Sequence, residues 1–182
     1  FLGLIGRTTD GGISWTSTTP FHSEFFGSVC FQNANTGFAV GDAGAIFKTT
    51  DAGMTWNSYT PRVLNMLYSV SFPDKNTGYA VGEKGEMLKT TDEGASWVKM
   101  VSGVTDKFYS VFFTDSNSGC AVGEKVDFLG MPVGTSLRRT TDGGVTWMDQ
   151  SQGSYYSLSS VFFTDAFTGY AAGSGGTMIK ST

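Results

Sequence analysis

Thr90–Trp97 reads TTDEGASW, and the phrase returns three times, as TTDGGISW at Thr8–Trp15, TTDAGMTW at Thr49–Trp56 and TTDGGVTW at Thr140–Trp147. Its aspartates, Asp10, Asp51, Asp92 and Asp142, stand 41, 41 and 50 residues apart. A second phrase keeps the rhythm. It reads SVCFQNANTGFAVG from Ser28, SVSFPDKNTGYAVG from Ser69, SVFFTDSNSGCAVG from Ser110 and SVFFTDAFTGYAAG from Ser160, with starts again 41, 41 and 50 apart. Two unrelated phrases in one register define an internal repeat, and the repeat decides the fold.

Each period reads as four short strands. In one unit these are Leu67–Phe72, Gly78–Gly82, Glu86–Thr90 and Ala95–Met100, separated by a Pro-Asp-Lys-Asn turn, by Glu83–Gly85 and by Asp92–Gly94. Four antiparallel strands in about 40 residues is the period of a propeller blade. The sequence therefore predicts an all-β β-propeller with repeat units over approximately 1–18, 19–60, 61–101, 102–151 and 152–182. Gly3–Thr9 and Gly176–Thr182 share one phase of the repeat, which gives three complete blades plus two partial ones. The expectation is a segment of a six- to eight-bladed propeller.

Composition agrees. The 182 residues include 25 glycines and 14% aromatic residues, but only 15% charged residues, and no stretch keeps helical periodicity. Short strands, tight turns and packed rings account for such a mixture. The net charge is −4 with no basic run, which excludes nucleic acid as an expected partner. No run of about 18 apolar residues occurs, so no membrane span is expected. Phe1–Gly6 is apolar but too short for a signal peptide, and any targeting segment is expected to lie outside this sequence. Cys30 and Cys120 fall on different strands two repeats apart, too far for a disulfide and suited to small apolar side chains. There is no metal-ligand spacing, phosphate loop or nucleophile elbow, and no metal or cofactor is expected.

The Thr-x-Asp-x-Gly-x-Ser/Thr-Trp phrase is similar to the Asp box, or BNR repeat, at blade spacing along essentially the whole chain. Its logic is local. A carboxylate at Asp10, Asp51, Asp92 or Asp142 accepts backbone N–H groups left over in a tight hairpin. Gly12, Gly53, Gly94 and Gly144 supply the positive φ of the turn. Trp15, Trp56, Trp97 and Trp147 pack between neighbouring blades. Catalytic carboxyl pairs stand about 5–9 Å apart, whereas these aspartates repeat on separate blades, so they are read as structural.

The SVxF…TGYAVG…KTTDGG consensus most resembles photosystem II stability/assembly factor-like propellers. The resemblance implies a seven-bladed, exported protein (extracellular, periplasmic or lumenal) acting as a binding scaffold or assembly chaperone. It also implies an arginine-rich patch for the client, and there this chain departs. Its arginines are Arg7, Arg62, Arg138 and Arg139, and Arg7 and Arg139 occupy the repeat position of Lys48, Lys89 and Lys180.

A non-catalytic binding or scaffold propeller is the expected function, with a protein or peptide as partner and carbohydrate as a second ligand class. The alternative is part of an Asp-box glycoside hydrolase, sialidase- or glucanase-like, with catalytic residues outside this segment. Its non-repeat carboxylates Glu24, Asp106, Asp127 and Asp149 are scattered, and the lone His22 has no evident partner. Sequence freedom is concentrated opposite the repeated turns. Where two second turns are short (Asp42–Gly44, Glu83–Gly85), the third runs Glu124–Gly134 as EKVDFLGMPVG. The expected contact surface combines Phe128, Leu129 and Met131 with Arg62, Leu64 and Met66 from one neighbouring loop and Tyr155 and Tyr156 from another. The competing expectation is that the insertion folds back over the central channel or a neighbouring blade.

Overall fold

Alternation along each strand sets the architecture. In Phe38-Ala39-Val40, the first and third side chains enter one apolar cluster and the second enters another, so this sheet has two buried faces and takes a neighbour on each side. The computed structural model describes residues 3–18, 25–59, 61, 63–151, 153 and 155–181. The sequence-predicted Arg62, His22 and Glu24 lie outside the described residues.

Sheet I pairs β1 (Ile5–Arg7) with β2 (Thr16–Thr18). Sheet II contains β3 (Phe26–Phe31), β4 (Gly37–Gly41), β5 (Ile46–Thr49) and β6 (Asn57–Ser58). Sheet III contains β7 (Leu67–Ser71), β8 (Gly78–Gly82), β9 (Met87–Thr90) and β10 (Val98–Lys99). Sheet IV contains β11 (Lys107–Phe113), β12 (Gly119–Val126), β13 (Pro132–Thr140) and β14 (Met148–Asp149), and sheet V β15 (Leu158–Phe163), β16 (Gly169–Gly173) and β17 (Met178–Lys180). All pairings are antiparallel meanders. The fourth strand is shorter than the sequence suggests. Only Val98–Lys99 joins the ladder in sheet III, because the Ala95 and Ser96 N–H groups turn inward to Asp92.

The sheets are arranged as a β-propeller. First strands stand side by side, and the Ser69 and Ser110 hydroxyls accept the N–H groups of Val111 and Val161 on the next sheet, both at 3.2 Å. Every core cluster is an inter-sheet seam. Phe38, Val40 and Ile46 of sheet II meet Leu67, Val70, Ala80, Leu88 and Trp97 of sheet III. Tyr79, Val81 and Met87 meet Phe108, Val111, Phe113 and Ala121 across the next seam, and Cys120 and Val122 meet Leu158, Val161 and Ala171 across the one after. Cations stitch the seams from outside. Arg7 Nε, Lys48 Nζ and Lys89 Nζ donate to the carbonyls of Ala52, Glu93 and Gly143 on the following sheet, at 2.7, 2.6 and 2.8 Å.

Each first strand carries a bulge at the same place, between Phe26 and Ser28, Leu67 and Ser69, Phe108 and Ser110, and Leu158 and Ser160. The glycine ending the second strand makes room for it. A Cβ at Gly82 would lie 1.9 Å from the Met66 carbonyl oxygen, so only glycine permits that approach. Cys30 and Cys120 are free thiols.

Candidate functional site: an apolar hairpin tip on one rim

The two rims of the propeller differ. On one, the N–H groups of Ala52, Glu93 and Gly143 donate to the carbonyls of Asn35, Asn76 and Asn117, which joins the repeated Thr-Thr-Asp turns to the turns between first and second strands. Each repeated turn is held the same way. The Thr90 hydroxyl donates to Asp92 Oδ1 at 2.7 Å and accepts the N–H groups of Gly94 and Asp92 at 3.0 and 3.3 Å. Asp92 then accepts the N–H of Ser96 at 2.9 Å and its hydroxyl at 2.6 Å. Thr49 with Asp51 and Thr140 with Asp142 repeat the pattern. Asp10, Gly12 and Trp15 close the equivalent turn of sheet I. These interactions hold each carboxyl below its ordinary range, about 2 for Asp51, Asp92 and Asp142 and lower still for Asp10. The largest cause at Asp92 is the Ser96 hydroxyl, followed by the Ser96 N–H and the Thr90 hydroxyl. Gly94 and Gly144 adopt φ +77° and +85°, and Gly12 and Gly53 +92° and +82°.

The opposite rim carries the turns Asp42–Gly44 and Glu83–Gly85, and there sheet IV departs from its neighbours. Its second and third strands continue past the point where β8 and β9 stop, pairing Glu124 with Thr135, Lys125 with Gly134 and, after a bulge, Val126 with Pro132. The segment read from sequence as a long loop is a hairpin whose turn is only Asp127–Met131. Asp127 fixes that turn. Its carboxylate accepts the N–H groups of Leu129 and Met131 at 2.9 and 2.8 Å, and its N–H donates to the Met131 carbonyl at 2.9 Å.

With the backbone satisfied, the apolar side chains have nothing to fold onto. Phe128 is 93% exposed and Leu129 72%, and Met131 and Val133 are exposed beside them. Among the described residues the tip is therefore not covered by a neighbouring sheet.

The foot of the hairpin is anchored on both sides. The Thr135 hydroxyl donates to the carbonyl of Tyr156, so the loop bearing the exposed Tyr155 and Tyr156 stands beside the hairpin. Leu64 and Met66 stand in the segment that leads into β7. Val63 packs on the Gly44 turn of sheet II, the Met66 carbonyl accepts the Glu83 N–H within sheet III at 2.9 Å, and Leu64 is exposed. The loop bearing Tyr155 and Tyr156 thus meets the hairpin at its foot.

Sequence reasoning missed a polar array at the same rim. Tyr68 and Tyr109 occupy the bulge positions of β7 and β11, with rings edge-to-face at 5.3 Å. Their hydroxyls donate to Glu83 at 2.8 Å and to Glu124 at 3.2 Å, and Lys107 lies 3.7 Å from Glu124. Burial and then the neighbouring carboxylates push both phenols up, Tyr109 to about 12. Their signal was the one position before each Ser-Val-x-Phe phrase, where Gly27, Tyr68, Tyr109 and Ser159 differ. Glu124 belongs to β12, so the array braces the hairpin at its root. On the other strand, Arg138 replaces the apolar Phe47 and Leu88 of the repeat and pairs with Asp106 and Asp149 at 3.5 and 3.3 Å. Ser136 donates to Asp106 at 2.7 Å. Arg138 is thus held internally, and Asp106, Asp127 and Asp149 each serve a structural contact.

A family model described as photosynthesis system II assembly factor YCF48 matches residues 15–100. Among solved structures, YCF48 bound to D1 peptide is 24% identical with TM-score 0.63, covering 82% of this chain and 46% of that one. YCF48 from Cyanidioschyzon merolae is 17% identical with TM-score 0.73, covering 99% of this chain and 61% of that one. An ancestral GH74 enzyme is 18% identical with TM-score 0.71, covering 94% of this chain and 25% of that one. These likenesses show the fold, and the chain spans 46% and 61% of the two YCF48 chains. No curated protein matches by sequence. Repeat, sheet topology and family match agree: the chain is a BNR-type β-propeller that resembles the photosystem II assembly factor.

Proposed function

We propose that this chain is a non-catalytic scaffold section of a propeller that binds a protein or peptide partner through the hairpin tip of sheet IV. One observation carries the reading: Phe128, Leu129, Met131 and Val133 are exposed together on a hairpin whose backbone is already hydrogen-bonded. Exposed apolar groups on an ordered element mark a contact surface, and an aromatic ring beside methionine is a common anchor pair. Tyr155 and Tyr156 extend that surface along the rim. The match to the YCF48 family and the D1 peptide bound to one of its members favour a peptide-sized partner. The repeated Asp-box residues serve as structure in this reading, and an exported location, outside the cell or in periplasm or lumen, belongs to it.

The test replaces Val126–Val133 with a short glycine turn. Peptides selected from a phage-displayed library on the wild-type chain should lose affinity for the shortened chain at unchanged melting temperature. Undiminished binding by a folded shortened chain overturns the proposal. The second reading, part of a glycoside hydrolase, has the GH74 neighbours in its favour. Against it, Asp106 is tied to Ser136 and Arg138, Asp127 to its own turn and Asp149 to Arg138. Release of reducing sugar from xyloglucan by the full-length protein that contains this section would establish it.

A further inference from the structure

Tyr68 and Tyr109 stand where the repeat is not kept. The residue at the first-strand bulge is Gly27, Tyr68, Tyr109 or Ser159. The residue after the glycine that closes the common part of the second strand is Asp42, Glu83, Glu124 or Ser174. Tyrosine therefore falls on the two sheets that carry glutamate, and each hydroxyl donates to the carboxylate 15 residues on. Sheets II and V make the same bulge with glycine and serine, so the blade does not require the pair.

Cations are scarce inside the array. Glu83 is half-buried, and among the described residues its one side-chain partner is the Tyr68 hydroxyl at 2.8 Å. Lys107 approaches Glu124 at 3.7 Å, while Lys84 and Lys125 pair with neither glutamate among the described residues. Burial raises both phenols most; next come Glu83 and then Asp42 at Tyr68, and Glu124 and then Glu83 at Tyr109. Carboxylates of three successive sheets thus act on one pair of rings. Both hydroxyls already donate, so the array keeps only acceptors to offer: phenol lone pairs, the remaining carboxylate oxygens and the ring faces. Among the described residues no three carboxylate, histidine or cysteine groups are placed to hold a metal ion, so the group that fits is an organic cation.

We infer that the Tyr68–Glu83–Tyr109–Glu124 array seats a lysine or arginine of a partner peptide whose apolar residue, three or four positions away, rests on the Phe128–Met131 tip. The inference depends on the tip being the contact and adds the chemistry of what it contacts, a segment that is basic as well as apolar. Reach sets the spacing. Glu124 precedes Asp127 by three residues, roughly 10 Å along a strand, which three residues of an extended peptide span. Charge sets the sign. The partner's N–H groups donate to the carboxylates, its cation lies against the tyrosine rings, and both terms gain from the half-buried setting. Arg138, the cation of β13 nearest the hairpin, offers no opposite charge to a partner, since Asp106 and Asp149 hold it.

The experiment is a double-mutant cycle on a peptide selected from a phage-displayed library against the wild-type protein. The selected peptides should carry lysine or arginine three or four positions from an aromatic or aliphatic residue. Replacing that basic residue by methionine should weaken binding roughly tenfold. Glu83→Gln with Glu124→Gln, which keeps shape and removes charge, should weaken the parent peptide equally, and the two changes together should cost no more than either alone. Salt reads the same contact without a variant: sodium chloride should weaken the parent peptide and leave the methionine-substituted one nearly unchanged. Selected peptides without a basic residue, additive losses in the cycle, or equal salt responses each overturn the inference. Phe128→Ser with Met131→Ser separates the two levels. Lost binding in that folded variant keeps the tip contact standing even where the cycle fails, whereas undiminished binding overturns the tip contact itself.

Discussion

The Thr90 hydroxyl is buried and takes two N–H groups of its turn, while the Asp92 carboxylate lies toward solvent. Sequence reading singled out the aspartate, whose invariance within the repeat is conspicuous, and credited it with accepting several N–H groups. The structure gives the buried share of that task to the threonine. A buried donor stripped of its acceptor costs about 1–3 kcal/mol, so Thr90→Val should destabilise by that much, and by more than Asp92→Ala, whose orphaned Ser96 N–H can reach water. Urea titration of both variants checks the order, and an Asp92→Ala cost above that of Thr90→Val would contradict it. The aspartates leave a different trace. Asp51, Asp92 and Asp142 have folded values of about 2 against an ordinary 3.8. Folding therefore favours their charged forms. The stability they add is present above about pH 4 and is lost as pH falls from there through about 2. Melting temperature should hold steady from pH 7 to 5 and drop below 4; a level profile down to pH 2 contradicts the assignment.

Among the elements, the four tryptophans separate by position and not by motif. Trp56 and Trp97 are 8% and 9% exposed within seams, whereas Trp15 of sheet I is 65% exposed. Trp97→Ala should cost about 3–5 kcal/mol, the usual loss for a buried large aromatic, and Trp15→Ala should cost little. Equal losses on thermal unfolding would show that the ring stabilises its own turn and not the seam. The strands themselves were legible, because period-two alternation and flanking glycines repeat in register. The hairpin of sheet IV was not. Glu124–Gly134 contains Asp127, Gly130, Pro132 and Gly134, all loop-forming in isolation, and its pairing depends on β12 and β13 already being aligned from below. Tyr68 and Tyr109 escaped notice for a related reason. A bulge re-aims one side chain toward the rim, and their common orientation follows from sheet-to-sheet placement that strand periodicity does not encode.

For the molecule as a whole, both end sheets present apolar surface. Leu4, Ile13 and Trp15 are exposed on sheet I, and Phe162, Phe167, Tyr170 and Met178 on sheet V. Different surfaces at the two ends favour head-to-tail contacts, so sedimentation velocity on the 182-residue chain should show association that rises with concentration. A single monomeric species at high concentration would contradict it. The proposed division of roles gives the propeller's construction to the repeated turns and the partner contact to the hairpin tip. The most direct measurement pairs two variants, Asp92→Ala and the double change Phe128→Ser with Met131→Ser, and records melting temperature and affinity for a peptide selected on the wild-type chain. Asp92→Ala should lower the melting temperature and leave affinity intact. The tip variant should melt within about 2 °C of wild type and bind at least roughly tenfold more weakly; unchanged affinity in a folded tip variant would contradict the claim.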